Sequence, residues 1–414
     1  MSSVKEKKIN ETNLLIWNPF RKGHLENPHE QLTLLREHNP VHKGINGRWL
    51  FFKYRDVKFL LTNPVFRTIK LHEQLSSKNR FLTEPDNLNN LVAAVSKWLF
   101  FLDPPEHTVL RQLVVKCWNQ HKVQTFIEQV VEEAITNLSA KRHVEIVSDF
   151  AVYIPTKIIC KILGLPLEDY KQLRHQAHHF ANVLEPFESL HSMLCCNQNA
   201  KEFYEYIETI VKVKKNKPDD SFISAFLIGN HSLENPLNHE EMVSVFIILF
   251  FAGIETSIYL FAQSILHLIH NPSQLQMLRN DLSLTYQAIE ELIRYSSPLQ
   301  YAPRTAKKDI EIRGQIIRAG EMIMGCVASA NRDPDIFENP EKLDFTRKSN
   351  PHLSFGHGFH HCIGAKLARD ELGAALPAFI KRFSKIELDP QNLYEWETII
   401  INRGLKSLPV VLNQ

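Results

Sequence analysis

The run Phe355-Gly356-His357-Gly358-Phe359-His360-His361-Cys362-Ile363-Gly364 decides how this chain is read. It leads into Ala365-Lys366-Leu367-Ala368-Arg369, which reads as a helix. Gly356 and Gly358 let the backbone turn sharply before the cysteine, and Gly364 lets it turn again just after. A cysteine in a glycine-framed loop beside a helix N-terminus sits among unpaired backbone N–H groups, at the positive end of the helix dipole. Those groups stabilise a thiolate, and a fixed, exposed thiolate is a nucleophile or a metal ligand. Three readings compete. His357, His360, His361 and Cys362 could hold zinc, although zinc motifs draw their ligands in spaced pairs and no second Cys/His cluster follows. The cysteine could be structural, in a tight turn. It could also be the axial thiolate of a haem iron.

The run matches Phe-x-x-Gly-x-His-x-Cys-x-Gly, the haem-binding signature of the cytochrome P450 superfamily, at every defined position. The chain resembles a soluble, bacterial-type member of that family. The resemblance implies a mainly α fold with a small β region: a triangular helical domain, a long central helix over the haem, and a small β-rich subdomain. The cofactor it implies is haem b (iron protoporphyrin IX), with Cys362 as the iron's thiolate ligand. Phe355, Gly356, His360 and Gly364 frame that ligand.

Composition agrees with an ordinary globular protein. The chain has 414 residues, 44% hydrophobic and 23% charged, with 25 Phe and 5 Trp to fill a large core. A net charge of +2 and no Lys/Arg block exclude a nucleic-acid arm. Cys117, Cys160, Cys195, Cys196, Cys326 and Cys362 follow no framework spacing and read as reduced thiols, as in a cytoplasmic protein. Residues 1–12 are polar and expected to be disordered, with 13–414 forming one domain. The longest apolar run, Val245–Gly253, is too short to span a bilayer.

Along the chain, Asn27-Pro28 opens a helix to His38, and Trp49–Phe52 has the length of a strand. Asp56 reads as the N-cap of a short helix. Residues 70–97 read as an irregular connection. Asp103-Pro104-Pro105-Glu106 is a helix start. Leu163-Gly164-Leu165-Pro166 breaks a helical region, and Lys212–Asp220 reads as a charged linker. Asn238–His270 reads as one long, buried helix. Ile310–Met324 holds small strands, and the last residues suggest a hairpin.

Further segments match the family in order. Ala252-Gly253-Ile254-Glu255-Thr256 lies midway in the long helix. Glycine inside a helix costs roughly 1 kcal/mol relative to alanine, and helices distort at such places. Alone, this reads as a packing glycine beside a threonine bonded to its own helix. The resemblance implies a groove at Ala252 and Gly253 that holds dioxygen, with Thr256 hydrogen-bonding the distal oxygen and ordering a water. Glu255 would help relay protons. Glu291-Leu292-Ile293-Arg294 puts opposite charges on one helix face, ordinarily a solvated pair of about 0.3 kcal/mol. The resemblance implies a buried network, completed by Arg347, that is structural and linked to haem loading. His107 and Arg111 share a helix face. With Arg304 and His352 they correspond to the family's haem-propionate partners. Asn331-Arg332-Asp333-Pro334, with Phe337, Pro340 and Phe345, reads as architecture. His361 sits directly before the cysteine, where relatives vary, and its ring could face the proximal surface.

The implied reaction inserts one oxygen atom from O2 into a substrate C–H or double bond. The chain carries no flavin or iron–sulfur segment, so electrons are expected from a separate ferredoxin or flavodoxin and its reductase. Lys116, Lys122, Lys366 and Arg369 would form a basic face for that acidic partner. Residues 70–100 and 180–200, with Phe246, Ile247, Phe250, Leu299, Tyr301, Ile399 and Ile400, are expected to line an apolar pocket for a hydrophobic, medium-sized metabolite of secondary metabolism. The substrate could be a small molecule or one tethered to a carrier protein. A cytoplasmic monomer is expected. The alternatives are a haem protein that senses or sequesters a ligand without oxidising it, and a haem-thiolate enzyme that rearranges peroxides.

Overall fold

The computed structural model describes residues 15–44, 47–82, 87–118, 123–185 and 189–414. The expected disorder of residues 1–12, and Lys122, lie outside these. The chain divides into two compact units. One holds residues 1–69, 263–362 and 394–406; the other holds 70–262, 363–393 and 407–414.

The first unit is built on a five-stranded sheet in the order Val41–Lys43, Trp49–Phe51, Met322–Cys326, Tyr301–Ala306, Phe66–Arg67. Trp49–Phe51 pairs parallel with Met322–Cys326, with Trp49 opposite Ile323; the other pairs are antiparallel. Trp49, Leu50 and Phe51 are all buried, as suits a strand covered on both faces. Val57, Leu60 and Leu61 of the Tyr54–Thr62 helix join Phe51, Ala302 and Ile323 in one core cluster. Asp56 is not that helix's cap. It lies in the first turn and accepts a bond from Arg313 Nε at 2.7 Å. The Tyr54 N–H is satisfied from afar, by Asp333 Oδ2 at 2.9 Å.

The second unit is mostly helical, with a three-stranded antiparallel sheet ordered His143–Glu145, Pro409–Asn413, Lys385–Leu388. Within the expected irregular connection, the described residues form helices Leu71–Asn79 and Asn89–Val95. Their buried positions (Leu71, Leu75, Leu91, Ala94, Val95) are too few to impose a visible period. The helix Leu190–Asn216, capped by Ser189, runs through the first residues of the expected linker. There Lys212 pairs with Glu208 one turn back at 3.1 Å. Gly164 ends the helix Tyr153–Leu163 in the left-handed region, φ +84°. The chain end is not a hairpin. Leu405–Ser407 pairs with Glu395–Trp396, whereas Pro409–Asn413 joins the three-stranded sheet, and Leu408 N–H is held by Glu145 Oε1 at 2.6 Å.

The long helix spans His239–His270. Asn238 and Glu241 start it reciprocally: Asn238 Oδ1 accepts from Glu241 N at 3.0 Å, and Glu241 Oε2 accepts from Asn238 N at 2.9 Å. By length and hydropathy this helix could cross a membrane, but 83% of its apolar window is buried inside the protein.

Candidate functional site

The cysteine loop is held by its own backbone. Cys362 N–H donates to Phe355 O at 2.9 Å, His361 N–H to Gly358 O at 3.0 Å and Gly356 N–H to Leu353 O at 2.8 Å. Gly356 and Gly358 have φ of +71° and +75°, so the two turns expected before the cysteine need glycine. At Gly358 a side chain would also meet the Leu61 carbonyl at 3.2 Å. Gly364 differs from the expectation. Its φ is −80°, an ordinary value, and it precedes the helix Ala365–Arg382 as its N-cap. Cys362 is exposed at the end of the loop, and the six cysteines carry no disulfide. His360 packs on Phe359, and Phe355 lies between His352 and His361. Among the described residues no three His, Cys, Asp or Glu side chains converge as a metal-binding group, so nothing supports the zinc reading.

Behind the loop is a buried charge network. Glu291 and Arg294 are fully buried, and Glu291 accepts from Arg294 Nε and Nη2, both at 2.8 Å. It also accepts from Arg347 Nε at 3.0 Å, Asp344 N at 3.0 Å and Asn350 Nδ2 at 3.1 Å. Arg294 Nη1 donates to Asn331 O at 2.8 Å and Pro340 O at 2.9 Å. Asn331 does more than shape its loop. Its amide donates to Ser297 Oγ and Ser354 Oγ, and its Oδ1 accepts Leu353 N at 2.7 Å. The network therefore ends on the two residues that immediately precede the cysteine loop.

On the long helix, Ala252 is exposed and Gly253 and Thr256 are half-exposed, although their neighbours Phe251, Ile254 and Glu255 are buried. With Leu249, at 9% the least buried apolar residue just before them, they form one helical stripe at i, i+3, i+4 and i+7. A side chain on Gly253 would press on Ile159 Cδ1 at 2.9 Å, so this glycine has a packing reason as well. Glu255 is 1% exposed, and sequence reasoning missed its partners. Arg174 Nη1 lies 2.8 Å from Oε1 and His178 Nδ1 3.5 Å from Oε2. Burial would raise its pKa, but the Arg174 charge and the bonds from His178 and Tyr259 outweigh burial and hold it below the ordinary carboxylate value. Glu255 is thus a carboxylate at neutral pH.

Next to Thr256, Ser257 lies close to Glu371, a buried acid that sequence reasoning did not single out. Burial pushes the Glu371 carboxyl up to about 8 from an ordinary 4.5, against the smaller opposing effect of the Ser257 hydroxyl. The unfolded chain releases this proton first, so the group's contribution to stability falls as pH rises from about 4.5 to about 8. Glu371→Gln removes the titration. Its melting temperature relative to the natural protein is expected to rise steadily across that window, and a gap that does not vary with pH would contradict the assignment.

The expected propionate partners are His107, buried on the Glu106–Trp118 helix; Arg111, half-buried on the same helix; Arg304, 9% exposed on the Tyr301–Ala306 strand; and His352. His352 Nε2 sits 3.3 Å from Glu290, while its Nδ1 is buried with no hydrogen-bond partner. A buried nitrogen lacking a partner, a guanidinium and a thiol in one unit suit a group bearing acidic oxygens and a metal, so these residues fit haem.

Of the expected pocket residues, Phe246, Ile247 and Phe250 are 0% exposed. Phe246 packs on Phe222 and Phe226, and Phe250 on Phe203. Tyr301 is also core, its hydroxyl accepting from Trp17 Nε1 at 2.9 Å. Ile399 and Ile400 are nearly buried, and Leu299 is half-exposed. Of the basic residues, Lys116 is exposed, Lys366 pairs with Asp370, and Arg369 bonds Ala365 O on its own helix.

The family model described as Cytochrome P450 matches residues 41–406. The chain is 33% identical over 378 residues to cytochrome P450 CYP107DY1 of Priestia megaterium, covering 89% of this chain and 90% of that protein. It is 33% identical over 416 residues to the polyketide biosynthesis cytochrome P450 PksS of Bacillus subtilis, covering 97% and 99%. The solved structure of P450BioI in complex with hexadec-9Z-enoic acid ligated acyl carrier protein matches with a TM-score of 0.86 at 31% identity, over 94% of this chain and 99% of that one.

Proposed function

Because the chain belongs to the cytochrome P450 family of haem monooxygenases, we propose that it inserts one atom of O2 into a hydrophobic acyl or polyketide-like substrate of secondary metabolism. The observation that carries this reading is the half-exposed Thr256 beside the buried, ion-paired Glu255. The haem, proposed as haem b, supplies the metal centre at which dioxygen is reduced and its O–O bond cleaved. Cys362 would be its thiolate ligand; Arg304, His352, His107 and Arg111 would hold its propionates. Thr256 Oγ would offer a hydrogen-bond donor on the open side of the long helix and keep a water in place. Glu255, ionised beside Arg174, takes up a proton from solvent before it can pass one on, and His178 and Arg174 set how readily it does so. Leu249, Ala252 and Gly253 would line the substrate side of the stripe.

Electrons would come from a ferredoxin or flavodoxin with its reductase. A carrier-held substrate is favoured by the likeness to P450BioI, whose solved structure holds hexadec-9Z-enoic acid ligated acyl carrier protein. Burial of the long helix within the fold supports a cytoplasmic protein. Thr256→Ala tests the reading. Oxygen uptake is expected to continue while product per electron pair falls at least about tenfold; unchanged coupling would refute the role of Thr256. Titrating free long-chain acids against the same acids on acyl carrier protein, read by the iron spin state, separates the two substrate classes.

A further inference from the structure

In the first unit, around His29, the chain gathers cations with few acids to balance them. Arg332 is 5% exposed and Arg36 2%. The Arg332 guanidinium lies 4.1 Å from the centre of the Tyr295 ring, and the Arg403 guanidinium 3.5 Å from that of Trp396. His267 meets the same Tyr295 edge to face at 4.9 Å. Burial, then the charges of Arg332, Arg403, His267 and Arg36, keep the His29 imidazole well below its ordinary range. Burial, then Arg403, Arg332 and His270, do the same to His267. Burial, then Arg332, brings Arg403 down to about 9.

The opposing groups are few. Glu341 pairs with Arg332 and stands 4.0 Å from Arg36, but its side chain is 49% exposed. Glu26, Tyr295 and Tyr394 act on Arg403, and Asp333, Cys326 and Glu37 on Arg36. The terminal nitrogens of Arg403 are occupied by the carbonyls of Leu25 and Glu26 and by Gln263 Oε1. This leaves His29 Nδ1, His267 Nε2, Arg332 Nε, Arg403 Nε and Trp396 Nε1 buried without a hydrogen-bond partner. The arginine and indole atoms can only donate, and the imidazole atoms donate in the matching tautomer or when charged. Buried donors nearly always meet an acceptor, and buried positive charge without a counter-charge is costly. One negatively charged acceptor answers both needs.

We propose that His29, His267, Arg332, Trp396 and Arg403 form an internal site for a small anion of the halide or oxyanion class. The site shares no residue with the cysteine loop or the Ala252–Thr256 stripe. Its occupant would neutralise the excess charge and join the segment around His24–His29 to the Glu395–Trp396 and Arg403 region.

The test uses the haem-loaded enzyme dialysed into sodium gluconate. Sodium chloride or sodium phosphate replaces gluconate at constant ionic strength while the melting temperature is followed. A saturable rise is expected with one of the two, and the effective arm tells halide from oxyanion. His29→Ala and His267→Phe are each expected to weaken the midpoint at least tenfold. A bromide-soaked crystal of the natural protein should show an anomalous peak within hydrogen-bond reach of His267 Nε2 if a halide is accepted, and phosphate density there if an oxyanion is. A linear response common to all salts, a midpoint unchanged in both variants, or only water between these residues would overturn the proposal. Crystals of the natural protein decide the matter even if the variants fold poorly.

Discussion

Cys362→Ser is expected to abolish oxygen insertion, with turnover falling by at least about a thousandfold, on the order of 4 kcal/mol in barrier. The reduced, carbon-monoxide-treated protein should lose its thiolate-type spectrum. The loss is chemical rather than architectural. The loop is held by backbone bonds from Cys362, His361 and Gly356, none of which uses the sulfur, and Cys362 is exposed rather than packed in a core. A serine keeps those bonds and the turn, but a neutral hydroxyl does not give iron the electron density that a thiolate gives. The unfolding midpoint of the haem-free variant should therefore match that of the haem-free natural protein. A serine variant with unaltered spectrum and turnover would sink the assignment of Cys362. A variant that failed to fold would show that the sulfur has a packing role which its exposure does not indicate.

Glu291→Ala is expected to remove about 3–5 kcal/mol of stability, the magnitude found when one partner of a buried ion pair is deleted. Glu291 receives bonds from Arg294, Arg347, Asn350 and the Asp344 backbone. Deleting it removes the ion-pair partner of the fully buried Arg294 and of Arg347. Against a typical total of about 5–15 kcal/mol, that loss is large enough to deplete the folded state. Because Asn331 links this network to Leu353 and Ser354, the damage should also reach the cysteine loop as a reduced haem-to-protein ratio. Urea unfolding and haem content measured on one preparation check both effects. Arg347→Ala should cost less, since Arg294 still faces Glu291. Near-normal stability and haem content in Glu291→Ala would show that water satisfies the arginines.

Much of the local structure was readable because local rules governed it. Asn238 and Glu241 begin the long helix as a reciprocal cap, Gly164 ends its helix in the left-handed region, and Gly356 and Gly358 turn where only glycine does so cheaply. Other elements misled for equally physical reasons. Asp56 has a capping residue's chemistry, but the Tyr54 N–H is taken by Asp333, hundreds of residues later in the chain. The helices within residues 70–97 bury only a few apolar side chains each, so tertiary packing settles them rather than periodicity. Phe246 and Phe250 are as apolar as any pocket residue, and only the folded chain gives them their zero exposure.

The chain's own letters determined the cysteine loop, the long capped helix and the family, because glycine turns, caps and motif spacings act over a few residues. Tertiary structure alone decided that Glu255 is ionised beside Arg174, that Glu371 is buried against Ser257, and that the arginines and histidines around His29 lack enough acids. The reason is that the charge state of a side chain depends on burial and on partners brought close by folding, and neither is written in the order of neighbouring residues.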